Sequence, residues 1–223
     1  MRSVHPSHRL ADERGTSLVE LLAAMAIMSI VVVVLGTTLA SIQRAAMKQD
    51  DLGRMNDQAR LALQQIDHEM RSGNVLYDPD LENGADADAI VSCTGCEPGY
   101  TMRIYTQANA STRTLSSPTG YVCVLWQIDT DQRLLTRAWP PEQPEDASPW
   151  RVVAEGVVNR DLGAPAFALD TDPLKGGRTI DIAFSVNADL QHQPDQTMTL
   201  QAAYTGRNTS YGYPVSVCQD TPT

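Results

Sequence analysis

Gly15-Thr16-Ser17-Leu18-Val19-Glu20 opens a run in which Leu21 to Ile42 carries no charge at all. The residues before Gly15 are mostly polar and include Arg2, Arg9 and Arg14. About 20 apolar residues suffice for a helix to cross a bilayer, so residues 18–42 are long enough to span one. One carboxylate, Glu20, stands at the start of that run. Hydrophobic segments rarely keep such a group, because an ionised side chain is expensive in an apolar medium and its presence marks a function.

Two ordinary readings compete for this stretch. Ser17-Leu18-Val19-Glu20 fits a capping box, in which Glu20 does no more than satisfy free amides at a helix start. A secretory signal peptide cut near Leu39-Ala40 is the other. The apolar core of such a peptide is only about 7–15 residues, shorter than this run. A plain signal anchor has the right length but gives Glu20 no role.

Arg14-Gly15, then Thr16-Ser17-Leu18-Val19-Glu20, then a long apolar helix resemble the prepilin leader of the type IV pilin-like superfamily. That superfamily comprises pilins, minor pilins and the pseudopilins of type II secretion. The resemblance implies that residues 1–15 are a leader, removed by a prepilin peptidase between Gly15 and Thr16. It implies that Thr16 becomes an N-methylated amino terminus, and that Glu20 pairs with a neighbouring subunit's terminal amine during assembly. The implied partners are the peptidase, other pilin or pseudopilin subunits and an inner-membrane assembly platform. The lipid bilayer holds the subunit before assembly. The implied location is the cytoplasmic membrane, in a single pass with the C-terminal domain outside, and then the fibre. Thr16 stands where the family most often has Phe, and Thr37 where many major pilins have a helix-bending proline. Both departures fit a minor component.

With 223 residues and a net charge of −10, the chain has room for one or two domains and is acidic overall. Loss of the leader, with its three arginines and two acids, leaves a charge near −11. A nucleic-acid partner calls for a basic stripe, and this chain has none. Basic residues flank the apolar run equally, with Arg44, Lys48 and Arg54 balancing the leader, so charge does not orient it. All four cysteines, Cys93, Cys96, Cys123 and Cys218, follow the apolar run. An even number in an exported domain predicts disulfides, with three possible pairings.

Past Ser41 the apolar residues Ile42, Ala45, Leu52, Met55, Ala59, Leu63, Ile66 and Met70 recur at threes and fours. Arg44, Lys48, Asp51, Arg54, Asp57, Arg60, Gln64, Asp67 and Arg71 occupy the remaining surface. The periodicity predicts one helix over residues 16–72, apolar all round at first and then on a single stripe, capped by Gly73-Asn74. Residues 73–223 form the second part. Val75 to Asp88 is acidic and turn-rich, and is expected to be a solvated loop; its spacing misses the calcium-loop pattern.

Strand signals follow. Tyr100–Tyr105 alternates, Tyr121–Ile128 has the composition of a buried strand, and Asp129–Gln132 turns it into Arg133–Trp139. Pro140 to Pro149 is a polar, proline-rich excursion, and Trp150–Ala154 begins another extended segment. Thr179–Asn187 places Ile180, Ile182, Phe184 and Val186 on one face. Thr197–Thr205 answers with Met198, Leu200, Ala202 and Tyr204, predicting an antiparallel pair joined across Ala188–Gln196. This half is similar to J-type minor pseudopilins and W-type minor pilins.

The chain lacks Gly-x-Ser-x-Gly, His-Glu-x-x-His and a phosphate-cradling glycine loop, so no enzyme activity and no cofactor are expected. Cys93-Thr94-Gly95-Cys96 has redox or half-zinc spacing, but its Glu97-Pro98-Gly99 flank is loop-like and no second close Cys or His pair completes a metal site. The expected fold is α+β: a long N-terminal helix, membrane-spanning and then amphipathic, followed by a mostly antiparallel β domain. The expected function is structural. A minor pilin or pseudopilin would start, join or cap a type IV pilus or type II secretion pseudopilus. The alternative is a single-pass anchored binding domain that never polymerises.

Overall fold

The structure, a computed structural model, describes residues 17–82, 95–109, 115, 117–170, 178–191, 193–206 and 215–218. The chain divides into two compact units, Met1–Lys48 and Gln49–Thr223. Helix α1, Leu18–Arg71, contributes to both.

In the first unit, every Leu, Ile, Val and Met from Leu18 to Met47 is exposed. The helix there is long and apolar enough to cross a membrane. Its hydroxyls are answered within the helix. Ser29 and Ser41 donate to the carbonyls of Ala26 and Thr38 at 2.8 and 2.7 Å, and Thr37 and Thr38 both donate to that of Val34. Such back-bonding leaves no hydroxyl in need of water, as an apolar surround requires.

In the second unit, one stripe of α1 is buried: Ala59, Ala62, Leu63, Ile66, Glu69 and Met70. These positions recur at threes and fours, so they line one face of a 3.6-residue helix. Burial on the stripe starts at Leu52 and Met55, both partly covered, whereas Ile42 stays exposed. The helix stops as expected at Gly73, whose amide donates to the Met70 carbonyl at 3.0 Å. From the sheet, Thr106 Oγ1 donates to the Glu69 carbonyl at 2.7 Å, satisfying one of the terminal carbonyls the helix cannot pair itself.

Two antiparallel sheets complete this unit. The first has the order β1–β2–β3–β4–β5, formed by Val75–Leu76, Thr101–Gln107, Tyr121–Ile128, Arg133–Trp139 and Arg151–Glu155. The second is β6–β7–β8, formed by Phe167–Leu169, Thr179–Val186 and Met198–Thr205. Register follows side-chain alternation. Val124 lies opposite both Ile104 and Ala138, and Trp126 opposite Met102 and Thr136, so this face joins the α1 stripe in one core. In the second sheet Ile180, Ile182, Phe184 and Val186 pair with Tyr204, Ala202, Leu200 and Met198, the register the alternation predicts. Phe167 and Phe184 meet edge to face at 5.7 Å.

Polar groups hold the segment after β5 onto the second sheet. Asn159 donates to the carbonyls of Ala164 and Ala183 and accepts from the Ser185 amide, so its buried amide is fully used. Gly156, at φ +69°, turns the chain from β5 toward β7. A Cβ there would stand 2.6 Å from Met55 Sδ and 3.0 Å from the Asn187 carbonyl oxygen.

The opposite face of the first sheet carries a second cluster of Val75, Tyr77, Cys96, Tyr105, Cys123, Leu125, Trp139 and Cys218. Here the expectation of a solvated acidic loop from Val75 is corrected. Val75 and Leu76 form β1, paired with Tyr105 and Ile104, and Glu82 is buried. The physical reason is a counter-charge. Arg103, fully buried on β2, donates from Nη2 to Glu82 Oε2 at 2.6 Å and from Nη1 to the Cys218 carbonyl at 2.5 Å. The remainder of that loop, from Asn83 to Asp88, lies outside the described residues.

Candidate functional sites

The first site is the start of α1. The helical ladder begins with the Ser17 carbonyl, which accepts from the Leu21 amide at 3.1 Å. Glu20 therefore sits in the first turn, where it is exposed among Leu18, Val19, Leu21 and Leu22. Unpaired amides at a helix N-terminus carry partial positive charge and favour an acid there. A cationic group meeting this carboxylate in an apolar surround would gain a charge-assisted hydrogen bond. Gly15 and Thr16, the expected cleavage and methylation positions, lie outside the described residues.

The cysteines come next. Cys123 on β3 is bridged to Cys218, its Cα 5.8 Å away and its position 95 residues along the chain. The bridge fastens the segment Val215–Cys218 to the middle of the sheet. Cys218 is held further by its amide, which donates to the Tyr77 hydroxyl at 3.1 Å. Cys96 is disulfide-bonded too, while Cys93 lies outside the described residues.

The second site is a cleft of about 510 Å³ beside the β4–β5 edge. Gln65 and Glu69 of α1 line it, with Thr136 and Arg137 of β4 and residues 148–152. Glu69 is fully buried, yet both its oxygens are occupied. Gln65 Nε2 donates to Oε1 and Trp126 Nε1 to Oε2, each at 2.8 Å. Burial pushes its carboxyl above the usual range, against the pull of those donors, of Asn109 and of the Arg151 charge. Arg151 Nη2 donates to Gln65 Oε1 at 2.8 Å, so a hydrogen-bonded chain runs from β5 through the helix to the buried acid. At the rim, the Arg137 guanidinium lies 4.5 Å over the Trp150 ring, and burial lowers its pKa.

Glu69 escapes a reading of the sequence because its partners outside the helix come from β3, β5 and the segment after β2. One signal was there: three residues after Ile66 and seven after Ala62, it occupies a core position of the apolar stripe. No family model, curated protein or solved structure matches this chain.

Proposed function

We propose that the chain is a minor subunit of a pilus-like fibre, a minor pilin or pseudopilin. A prepilin peptidase cuts it after Gly15 and methylates it at Thr16. The observation that carries this reading is Glu20, an exposed carboxylate in the first turn of a helix whose next 22 residues are uncharged. The α+β architecture supports it, since a membrane-length apolar helix precedes an independently cored, disulfide-bonded β domain. In the membrane the subunit waits as a single-pass protein with its C-terminal domain outside the cytoplasm. On assembly, Glu20 pairs with the terminal amine of an adjacent subunit.

Insertion and assembly are separable. The 13 Leu, Ile and Val residues between Leu18 and Ile42 each favour insertion by roughly 0.3–0.6 kcal/mol, several kcal/mol in sum. A carboxylate near the segment's end costs less than the roughly 2.5–3.5 kcal/mol of a charge at mid-membrane. Once paired at low dielectric, loss of one partner costs about 3–5 kcal/mol. Glu20→Ala is therefore expected to be inserted and cleaved normally yet missing from sheared fibres, with Glu20→Asp intermediate. Replacing Gly15 with a bulky residue should leave an uncut precursor in the membrane. Full incorporation of Glu20→Ala, or a native N-terminus other than Thr16 by intact-mass measurement, would return the chain to an anchored domain that does not polymerise.

A further inference from the structure

We propose that the cleft beside the β4–β5 edge binds a small carboxylate-bearing ligand, specifically an acidic sugar unit of the hexuronate class. Its volume of about 510 Å³ falls within the range of roughly 300–1,000 Å³ typical of small-molecule sites. The protein is strongly acidic, yet this cleft gathers two guanidiniums, Arg137 and Arg151. The Arg151 head group is oriented by a neutral amide oxygen, that of Gln65, and no ion pair to it is formed among the described residues. A guanidinium fixed in this way offers its remaining N–H groups to a planar carboxylate, the geometry in which arginine binds most strongly.

The other walls select the rest of the ligand. Trp150 is 38% exposed at the mouth, a flat indole on which the C–H face of a pyranose can lie. Ser148 Oγ accepts from the Ala138 amide at 3.0 Å, and its hydroxyl proton, which meets no acceptor among the described residues, can donate to a sugar oxygen. Glu69 forms the floor. The groups facing it are Gln65 from α1, Trp126 from β3, Arg151 from β5 and Asn109 after β2. Burial raises its pKa, so at a given pH it carries less negative charge than an exposed carboxylate and opposes the ligand's carboxylate less. As pH rises and Glu69 ionises, affinity should fall.

The test is a titration of the full-length chain in detergent micelles, followed by tryptophan fluorescence and calorimetry, with galacturonate as the probe. Galactose lacks only the carboxylate, and acetyl-glycylglycine supplies a carboxylate without a pyranose. Galacturonate should saturate, with both comparison compounds at least about tenfold weaker, a gap of roughly 1.4 kcal/mol. Arg151→Met and Trp150→Leu, both at exposed positions, should each lose about tenfold with an unchanged melting temperature. Glu69→Gln should retain binding and lose its pH dependence. A linear, unsaturated galacturonate response, or equal affinity in Arg151→Met, would overturn the site. Equal binding of galactose would remove the carboxylate, and equal binding of the dipeptide the sugar. None of these outcomes depends on fibre assembly.

Discussion

At Glu69 a buried carboxyl links the helix to the sheet, accepting from Trp126 Nε1. The carboxyl has no solvent exposure, and desolvation raises its pKa above the ordinary carboxylate value. Between the unfolded and folded pKa values the native state holds a proton that the unfolded chain has released. Stability must then fall as pH rises through that window. This is the reverse of the usual paired acid, which loses stability as pH falls. Denaturant unfolding from about pH 5 upward should show this decline in the native chain, and Glu69→Gln should make it shallower, leaving the share that Glu82 contributes. An unchanged slope in the variant would mean that another group carries the pH dependence. Glu82, on the far side of the sheet, is a second buried acid, and it differs from Glu69 in its partner, Arg103, a buried cation at 2.6 Å. Burial still raises the Glu82 pKa, with Arg103 pulling it down.

Among the elements, β3 contributes to both hydrophobic clusters of the domain. Its even-numbered residues Val122, Val124, Trp126 and Ile128 face the α1 stripe, and its odd-numbered Cys123 and Leu125 face the second cluster. A strand buried on both faces needs a nearly continuous apolar run, and Tyr121–Ile128 supplies one interrupted only by Gln127. The Cys123–Cys218 bridge adds an anchor across 95 residues. Closing a loop of that length stabilises by up to about 4–5 kcal/mol on the loop-entropy model. Replacing both cysteines with Ser should cost a large part of that in denaturant unfolding. Arg103 would be disturbed as well, because its Nη1 bonds the Cys218 carbonyl. A loss below about 1 kcal/mol would show that the bridge merely decorates a tail held by other contacts.

On the scale of the whole molecule, two halves obey different solvents. From Leu18 to Met47 the helix presents apolar side chains on every side. From Ala59 to Met70 it buries one stripe in a core shared with both sheets. A shortened chain starting at Ser41 is therefore expected to be soluble without detergent and to unfold in a single transition. The full chain should require detergent or lipid. Sedimentation and thermal melts of the two chains check this. Aggregation of the shortened chain, with native secondary structure retained, would show that the β domain needs the apolar segment for more than anchoring.

The sequence by itself determined whatever is written in the spacing of neighbouring residues. The change from an all-round apolar helix to a striped one, the β3–β4 hairpin and the β7–β8 register are all of this kind. Periods of 3.6 and 2 place side chains on faces before any partner is known. The apolar run and Glu20 were legible for the same reason. The tertiary structure alone decided what depends on distant residues. Two-residue β1 and three-residue β6 are too short to carry a period, and they exist because β2 and β7 offer them open edges. Glu69 takes its partner Trp126 from 57 residues away, and Arg103 takes the Cys218 carbonyl from 115. A buried charge looks like any surface charge in the sequence, because the desolvation that shifts it and the donors that stabilise it arrive only when the chain closes on itself.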